Sequence, residues 1–431
     1  MLRKLRNTLG PLFLIMICPP FVMIMWYTNT VLDGSFARLI DLMYQTGFMS
    51  TLYRIWQPVF WGSSTAWLMI ASFAVFELVL MKLLPGKVFF GPISPQGSAP
   101  TYKANGVMAY VVTVSVFCIC AFWLKIFPAS IIYDNLGALF GALNIASLII
   151  CMLLYLKGRF SPSSTDSGIT GNLIFDYYWG TELYPVLFGW NIKQFINCRF
   201  GMMSWSIILL SYAAKQQELV GLSNSMFISV ALQLIYITKF FIWETGYFRS
   251  LDIMHDRAGF YICWGCLVWV PCIYTSPSMY LVLHPVHLNA AFALILFVVG
   301  TVSILTNFLA DRQRLRVRIM DGQCKIWGKK PVIVRAAYTT LLGDTKENIL
   351  LASGWWGLAR HFHYVPEIMG ALCWTLPALF LNVTPYFYVV FLTVLLVDRA
   401  FRDESRCAKK YAAAWQVYCQ LVPYKIIPYV I

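Results

Sequence analysis

Charge is scarce in this sequence. Of 431 residues only 12% are charged and 19 are acidic, whereas a soluble domain usually carries about 25% charged residues. The deficit runs along the whole length, which excludes an ordinary soluble globular chain. No GxGxxG follows a strand-like run, so a Rossmann nucleotide site is not expected. Repeats and low-complexity tracts are also missing. The twelve cysteines are scattered, and no dense disulfide framework is suggested. The one CxxC pair, Cys263 and Cys266, sits in the apolar run FYICWGCLVWVP with no two further ligands close by. A packed helix face explains it, and no metal site is expected. The first apolar stretch lacks a convincing small-residue cleavage site, so it reads as a membrane span and not as a signal peptide.

What is present is apolar: 59% hydrophobic residues, with aromatics at 16%. About 20 mostly apolar residues cross a bilayer as a helix. Such segments fall near 11–28, 59–82, 107–127, 136–156, 201–216, 224–244, 259–283, 288–309, 366–382 and 385–397. The expected fold is all-α and polytopic, with about ten transmembrane helices and both termini in the cytosol. The formal charge of +14 reads as topology and not as nucleic-acid binding. Under ten spans, 27 of the 33 lysines and arginines fall on one side, from Arg3, Lys4 and Arg6 to the six from Arg399 onward. That side is assigned to the cytosol. The expected organisation is an N-terminal bundle over 1–200, with about four helices and a cytosolic loop, and a C-terminal half over 201–431. Only about ten residues precede the first span, so no soluble domain is expected before it. Cytosolic chemistry falls to 157–199, 310–349 and the tail from 398.

Four segments carry polar chemistry. In ADRQRLRVR (310–318), Arg314 and Arg318 stand four residues apart on one helix face. Two guanidiniums placed so can grip a phosphate, or they can anchor the chain at lipid headgroups. In LLASGWWGLARHFHYVPE (350–367), Gly354 and Gly357 permit close backbone approach and Trp355 and Trp356 offer flat faces. Arg360, His361 and His363 add charge within an apolar stretch, where ionisable groups are costly and usually functional. His361 and His363, at i, i+2, point apart on a helix and make a poor metal pair. In the tail (398–431), Arg399 and Asp403 stand at i, i+4, and Tyr411, Trp415 and Tyr418 stripe one side. That helix either lies on the membrane or closes over a polar cofactor. Last, Glu77, Asp134, Lys239, Glu244, Asp176, Glu182 and the run DIMHDRAGF (252–260) place acidic or polar groups near membrane depth. The carboxylates among them are proton-donor candidates, or each group is a helix-packing pair or a loop group.

SGWWGLARHFHYVPE together with DRxxRDExxCxxKY resembles the sterol C14/C24/Δ7 reductases. The Δ7 branch is the nearest, in its plant-like form. GPISPQGSAPTYKANG, GNLIFDYYWGTELYP, the run from LDIMHDRAGFYICWGCLVWVP to YTSP, DGQCKIWGKKP and VPYKIIP share the likeness, which covers most of the chain beyond residue 80. The resemblance implies NADPH in a cytosol-facing pocket of the C-terminal half. Arg314 and Arg318 match the family's cofactor cations, with Arg314 in place of the usual Lys. Trp356, His363, Arg399, Asp403 and Tyr411 match positions around the cofactor, with Trp355 and Arg360 beside them. His363 stands where many relatives have Asn. Pro366-Glu367 replaces Gly-Asp, Leu183-Tyr184-Pro185-Val186 replaces an LNPR element, and the family's Lys-Tyr-Gly is Lys410-Tyr411-Ala412.

The implied reaction is reduction of a sterol C7=C8 bond in an endoplasmic reticulum membrane, with the sterol entering from the bilayer. Tyr411 and Asp403 on the cofactor side, and Glu182, His255 and Asp256 on the sterol side, are the candidate proton donors. A C14 reductase, a membrane methyltransferase of the isoprenylcysteine type, and a non-catalytic sterol-binding or scaffold protein remain the alternatives. Oligomeric state is left open.

Overall fold

A computed structural model describes residues 2–430 except 95, 96, 165, 167, 340–342 and 344; the side chains of 2–6, which include Arg3, Lys4 and Arg6, lie outside the described residues. The chain is mostly helical, and all ten expected apolar segments are helices. Among the described residues eight helices are long and apolar enough to span a membrane. The two others fall short for different reasons. Met203–Val220 carries Ser204, Ser206, Ser211, Lys215 and Gln216. Tyr364–Thr375 has 12 residues and passes into a 3-10 turn with Pro377, which cannot continue a helix. Among the described residues a few strands accompany the helices, as three two-stranded antiparallel sheets.

The chain divides into two compact units. One comprises residues 1–94, 98–288 and 377–387; the other comprises 95–97, 289–376 and 388–431. The chain thus changes unit after Leu288, whereas its loops suggested a division at 200. The reason is packing: Met203–Val220 and Ser276–Leu283 bury Trp205, Leu209, Tyr212 and Leu281 against each other and their neighbours.

In the first unit, polar side chains begin and end the helices. Ser63 and Ser223 accept from Ala66 N and Met226 N, satisfying amide hydrogens that a helix start leaves open. Asn105 closes the end of Ser64–Leu83 by donating to the Met81 and Leu84 carbonyls. The Asn105 oxygen accepts from Arg199 Nη2 at 2.8 Å. Arg199 is wholly buried and ion-paired through Nη1 with Glu244, whose second oxygen accepts from Gly106 N at 2.9 Å. Such a charge is tolerated in a bundle only when paired and hydrogen-bonded.

The loops of this unit interlock. Gly180 (φ 95°) passes so close to the backbone of 258–259 that a Cβ there would meet the Ala258 carbonyl carbon at 2.6 Å. Ala258 N donates to Glu182 O at 2.9 Å. Lys193 is buried beneath, its Nζ donating to the Ile253 and Asp256 carbonyls at 2.8 and 2.5 Å. Burial pulls its pKa down to about 8.

In the second unit, the long helix Ala290–Ile319 packs along Tyr364–Thr375, and Asn307 Nδ2 donates to His363 O at 2.9 Å. The hairpin Ile333–Thr339/Thr345–Leu351 pairs Ile333 with Leu351 and Thr339 with Thr345. Its Ala336 and Leu350 form one buried cluster with Tyr411, Trp415, Tyr418 and Val422. The aromatic stripe read from the tail is therefore the face that packs on this hairpin. The tail helix Phe387–Leu421 is broken at Ala412, with φ 43° and ψ −114°.

Candidate functional site

The second unit gathers the expected cofactor residues. Arg314 and Arg318 lie near the end of Ala290–Ile319. The Arg314 guanidinium sits 3.9 Å from the Trp356 ring centroid, and its Nη2 is 3.1 Å from Asp311. Trp356 is buried, and its Nε1 donates to Ala310 O at 2.8 Å. The indole is thus fixed from the same helix that carries the arginine. Arg318 is exposed, and its Nε donates to Ile349 O at 3.2 Å. Among the described residues its two Nη groups hold no partner, so an anion has donors to meet.

From Trp356 an aromatic chain runs inward. His363 lies 4.8 Å from it and 4.2 Å from Tyr364, centroid to centroid. His361 stacks on Tyr364 at 5.5 Å and 8°. His361 is 4% exposed, and among the described residues its Nε2 has no hydrogen-bond partner. Burial lowers its pKa below the ordinary value, against the pull of Asp403 and Glu404. A neutral, buried ring nitrogen without a partner is a polar atom to which a ligand can bind. The sequence reading carried His363 and not His361 to the cofactor, yet His361 is the more buried histidine of the two.

Arg360 has a different place. Its Nε donates to Glu404 at 2.5 Å, and its Nη1 donates to the Val422 and Pro423 carbonyls at 2.5 and 2.9 Å. Lys425 completes the ion pair at 3.7 Å from Glu404. Arg360 therefore straps the final segment to the helix that carries Asp403. Asp403 is half-buried and paired with Arg406 at 2.7 Å. Arg399 lies one turn earlier on the same helix. Trp355 stacks on Phe362 at 5.3 Å and 9°, and its backbone N donates to Gln313 Oε1.

Tyr411 is buried, and its hydroxyl accepts from Asn348 Nδ2 at 2.8 Å. A phenol that accepts one hydrogen bond keeps its own hydrogen available for donation. Gln313, Asn348 and Glu404 were not singled out from sequence, because their partners come from distant segments.

Three expected donors, Glu182, His255 and Asp256, belong to the first unit. The Glu182 oxygens are both engaged, by Lys157 Nζ at 2.8 Å and Ser163 N at 2.6 Å. That carboxylate clamps a loop. Asp256 is buried in the loop that Lys193 caps.

The model of the ergosterol biosynthesis ERG4/ERG24 family matches residues 7–431. A 7-dehydrocholesterol reductase of Arabidopsis thaliana is 52% identical over 419 residues, covering 97% of this chain and 96% of that one. One of Xenopus laevis is 35% identical over 91% of this chain and 85% of its own. A Δ14-sterol reductase of Methylotuvimicrobium alcaliphilum is 32% identical, with 97% and 93% covered. The chain belongs to the ERG4/ERG24 family of sterol reductases.

Proposed function

We propose that this chain reduces the C7=C8 double bond of Δ5,7 sterols with NADPH held in the second unit by Arg314, Arg318 and Trp356. One observation carries the cofactor part: two arginines on one helix face, one with its guanidinium 3.9 Å from the centroid of a buried indole and the other with both Nη groups, among the described residues, directed to no protein partner. This donor set suits a nucleotide polyphosphate. The substrate part rests on the 52% identity across nearly the whole chain; the Δ14-reductase names occur at 32% and 33%. Matching over residues 7–431 favours reduction over methyl transfer.

The residues divide the work as follows. Arg314 and Arg318 bind phosphate oxygens. Trp356, His363 and Tyr364 form the wall against which flat rings pack, and His361 Nε2 offers a polar contact. Arg360 and Glu404 hold the tail over this wall and exclude water. The reduced nicotinamide, when bound, supplies a hydride. An alkene accepts hydride poorly until it is protonated, and addition of a proton to C8 leaves positive charge on C7, spread over C5=C6. Tyr411 is the donor that best fits the geometry, since Asp403 and Glu182 are both carboxylates in ion pairs. The sterol enters from the bilayer, and the basic loops draw the polyphosphate from the cytosol. The same charge asymmetry supports an endoplasmic reticulum protein with both termini and the cofactor site facing the cytosol.

The test uses purified protein in detergent with 7-dehydrocholesterol and either NADPH or NADH. Loss of the conjugated-diene absorbance is followed, with mass analysis of the product. Turnover with NADPH, weakened in Arg318→Ala, is expected. Turnover of a Δ8,14 sterol alone would move the reaction to C14, and turnover of neither by folded protein would end the catalytic reading.

A further inference from the structure

The segment DGQCKIWGKKP has no place in the site as described. Ile326 and Lys329 exchange backbone hydrogen bonds at 2.8 and 3.0 Å, which closes a two-residue turn over Trp327 and Gly328. Both have positive φ, 48° and 81°. Glycine accepts that conformation freely, but a bulky L-residue adopts it only under constraint, and such strain collects at ligand clamps. The constraint holds an indole in the open: Trp327 is 62% exposed.

The turn is anchored beside the cofactor site. Ile326 is buried in one cluster with Val317, Ile349, Leu351 and Trp356. Trp327 meets Trp355 edge-on at 5.1 Å and 87°. Trp355 is tied to Gln313, the residue preceding Arg314. Gly354 makes that tie possible, because a Cβ there would stand 2.2 Å from Gln313 Oε1. Lys325, Lys329 and Lys330 flank the turn in sequence and are exposed, and no acid lies between residues 325 and 330.

We propose that this turn is the adenosine end of the cofactor site: Trp327 stacks on the adenine, and Lys329 and Lys330 bind the 2′-phosphate. The proposal rests on the reading of Arg314 and Arg318 as pyrophosphate ligands. A flat exposed ring beside lysines also suits a lipid surface. The nucleotide is favoured because a lipid anchor has no need of the rigid link from Trp327 through Trp355 and Gln313 to the arginine helix. Lysine discriminates here as a charge, by attracting a phosphate that NADH lacks.

The experiment measures binding, not turnover. Full-length protein, in detergent and in lipid nanodiscs, is titrated with NADPH and NADH by nicotinamide fluorescence, and adenosine 2′,5′-bisphosphate is used as competitor. Trp327→Ala should weaken NADPH and the bisphosphate about tenfold in both settings, the weight of one base–aromatic stack, and Trp327→Phe should restore most of it. Lys329→Ala combined with Lys330→Ala should weaken NADPH more than NADH. Unchanged affinities in Trp327→Ala overturn the proposal, and so does a loss confined to nanodiscs, which would assign the turn to lipid. Arg314→Ala is titrated alongside. If it weakens NADPH while Trp327→Ala does not, only the turn assignment fails. If neither does, the cofactor site itself is misplaced.

Discussion

Replacing Ala412 by glycine should stabilise the protein. Ala412 breaks the tail helix at φ 43° and ψ −114°, where a Cβ crowds the backbone. Holding a non-glycine residue in such a region costs about 1–3 kcal/mol. Glycine removes that cost and adds about 0.5–1 kcal/mol of chain entropy on folding. The net gain is about 1 kcal/mol, which raises the melting temperature by about 1–3 °C for a chain of this size. Ala412→Val should do the reverse, because a β-branched side chain tolerates positive φ least. Tryptophan-fluorescence melting of the three proteins in one detergent gives the comparison. A glycine variant that melts lower, with a valine variant that melts no lower than the parent, would refute the strain argument. The break also directs Trp415 and Tyr418 back onto the hairpin beside Tyr411, so Ala412→Gly should leave NADPH affinity intact.

The remaining predictions concern the site and its support. Tyr411→Phe should lower kcat by about 10²–10⁴-fold with NADPH binding unchanged; an unaltered kcat excludes Tyr411 as the donor. Arg360→Gln leaves Glu404 with only Lys425 and two carbonyls without their donor, a loss of about 2–4 kcal/mol. Limited proteolysis should then clip the segment after Leu421 faster, and an unchanged cleavage rate would show that the guanidinium does not hold it. His361 has a folded pKa below its unfolded value of about 6.5. The unfolded chain therefore takes up the proton first, and stability is present above about pH 6.5 and lost as pH falls from there towards the folded value. Asp403, Glu404, Arg314 and Arg360 face this ring. His361→Asn should melt with a shallower dependence between pH 7.5 and 5.5, and equal slopes would remove His361 from the acid response.

The spans were legible because each is a long apolar run, and the tail stripe was legible because Tyr411, Trp415 and Tyr418 recur at helical spacing. The paired arginines were legible for the same reason, since i and i+4 share a face whatever lies around them. Arg360 was not, because its partners are backbone carbonyls at 422 and 423, which leave no mark in a sequence. The hairpin carried a faint signal in the alternation of IVRAAYT, which the expectation of an all-helical chain obscured. Glu182 stayed a donor candidate in the sequence because its partner Lys157 reaches it across 25 residues. The Trp327 turn replaces the usual Asn-Gly with Trp-Gly, so only the glycine announced it.

The buried pair of Arg199 and Glu244 has a consequence in time. The two residues are 45 positions apart, and Asn105 precedes Arg199 by 94. At about 5–20 residues per second of synthesis, Arg199 leaves the ribosome about 2–9 s before the carboxylate that neutralises it. During that interval its amide partner is already made and its ionic partner is not. An unpaired guanidinium does not enter a lipid-embedded core. The segment 194–202 must therefore wait at the aqueous edge until Asn224–Ile242 has been inserted and brings Glu244 with it. Assembly of the first unit is timed by Glu244, however early its first four spans are in place.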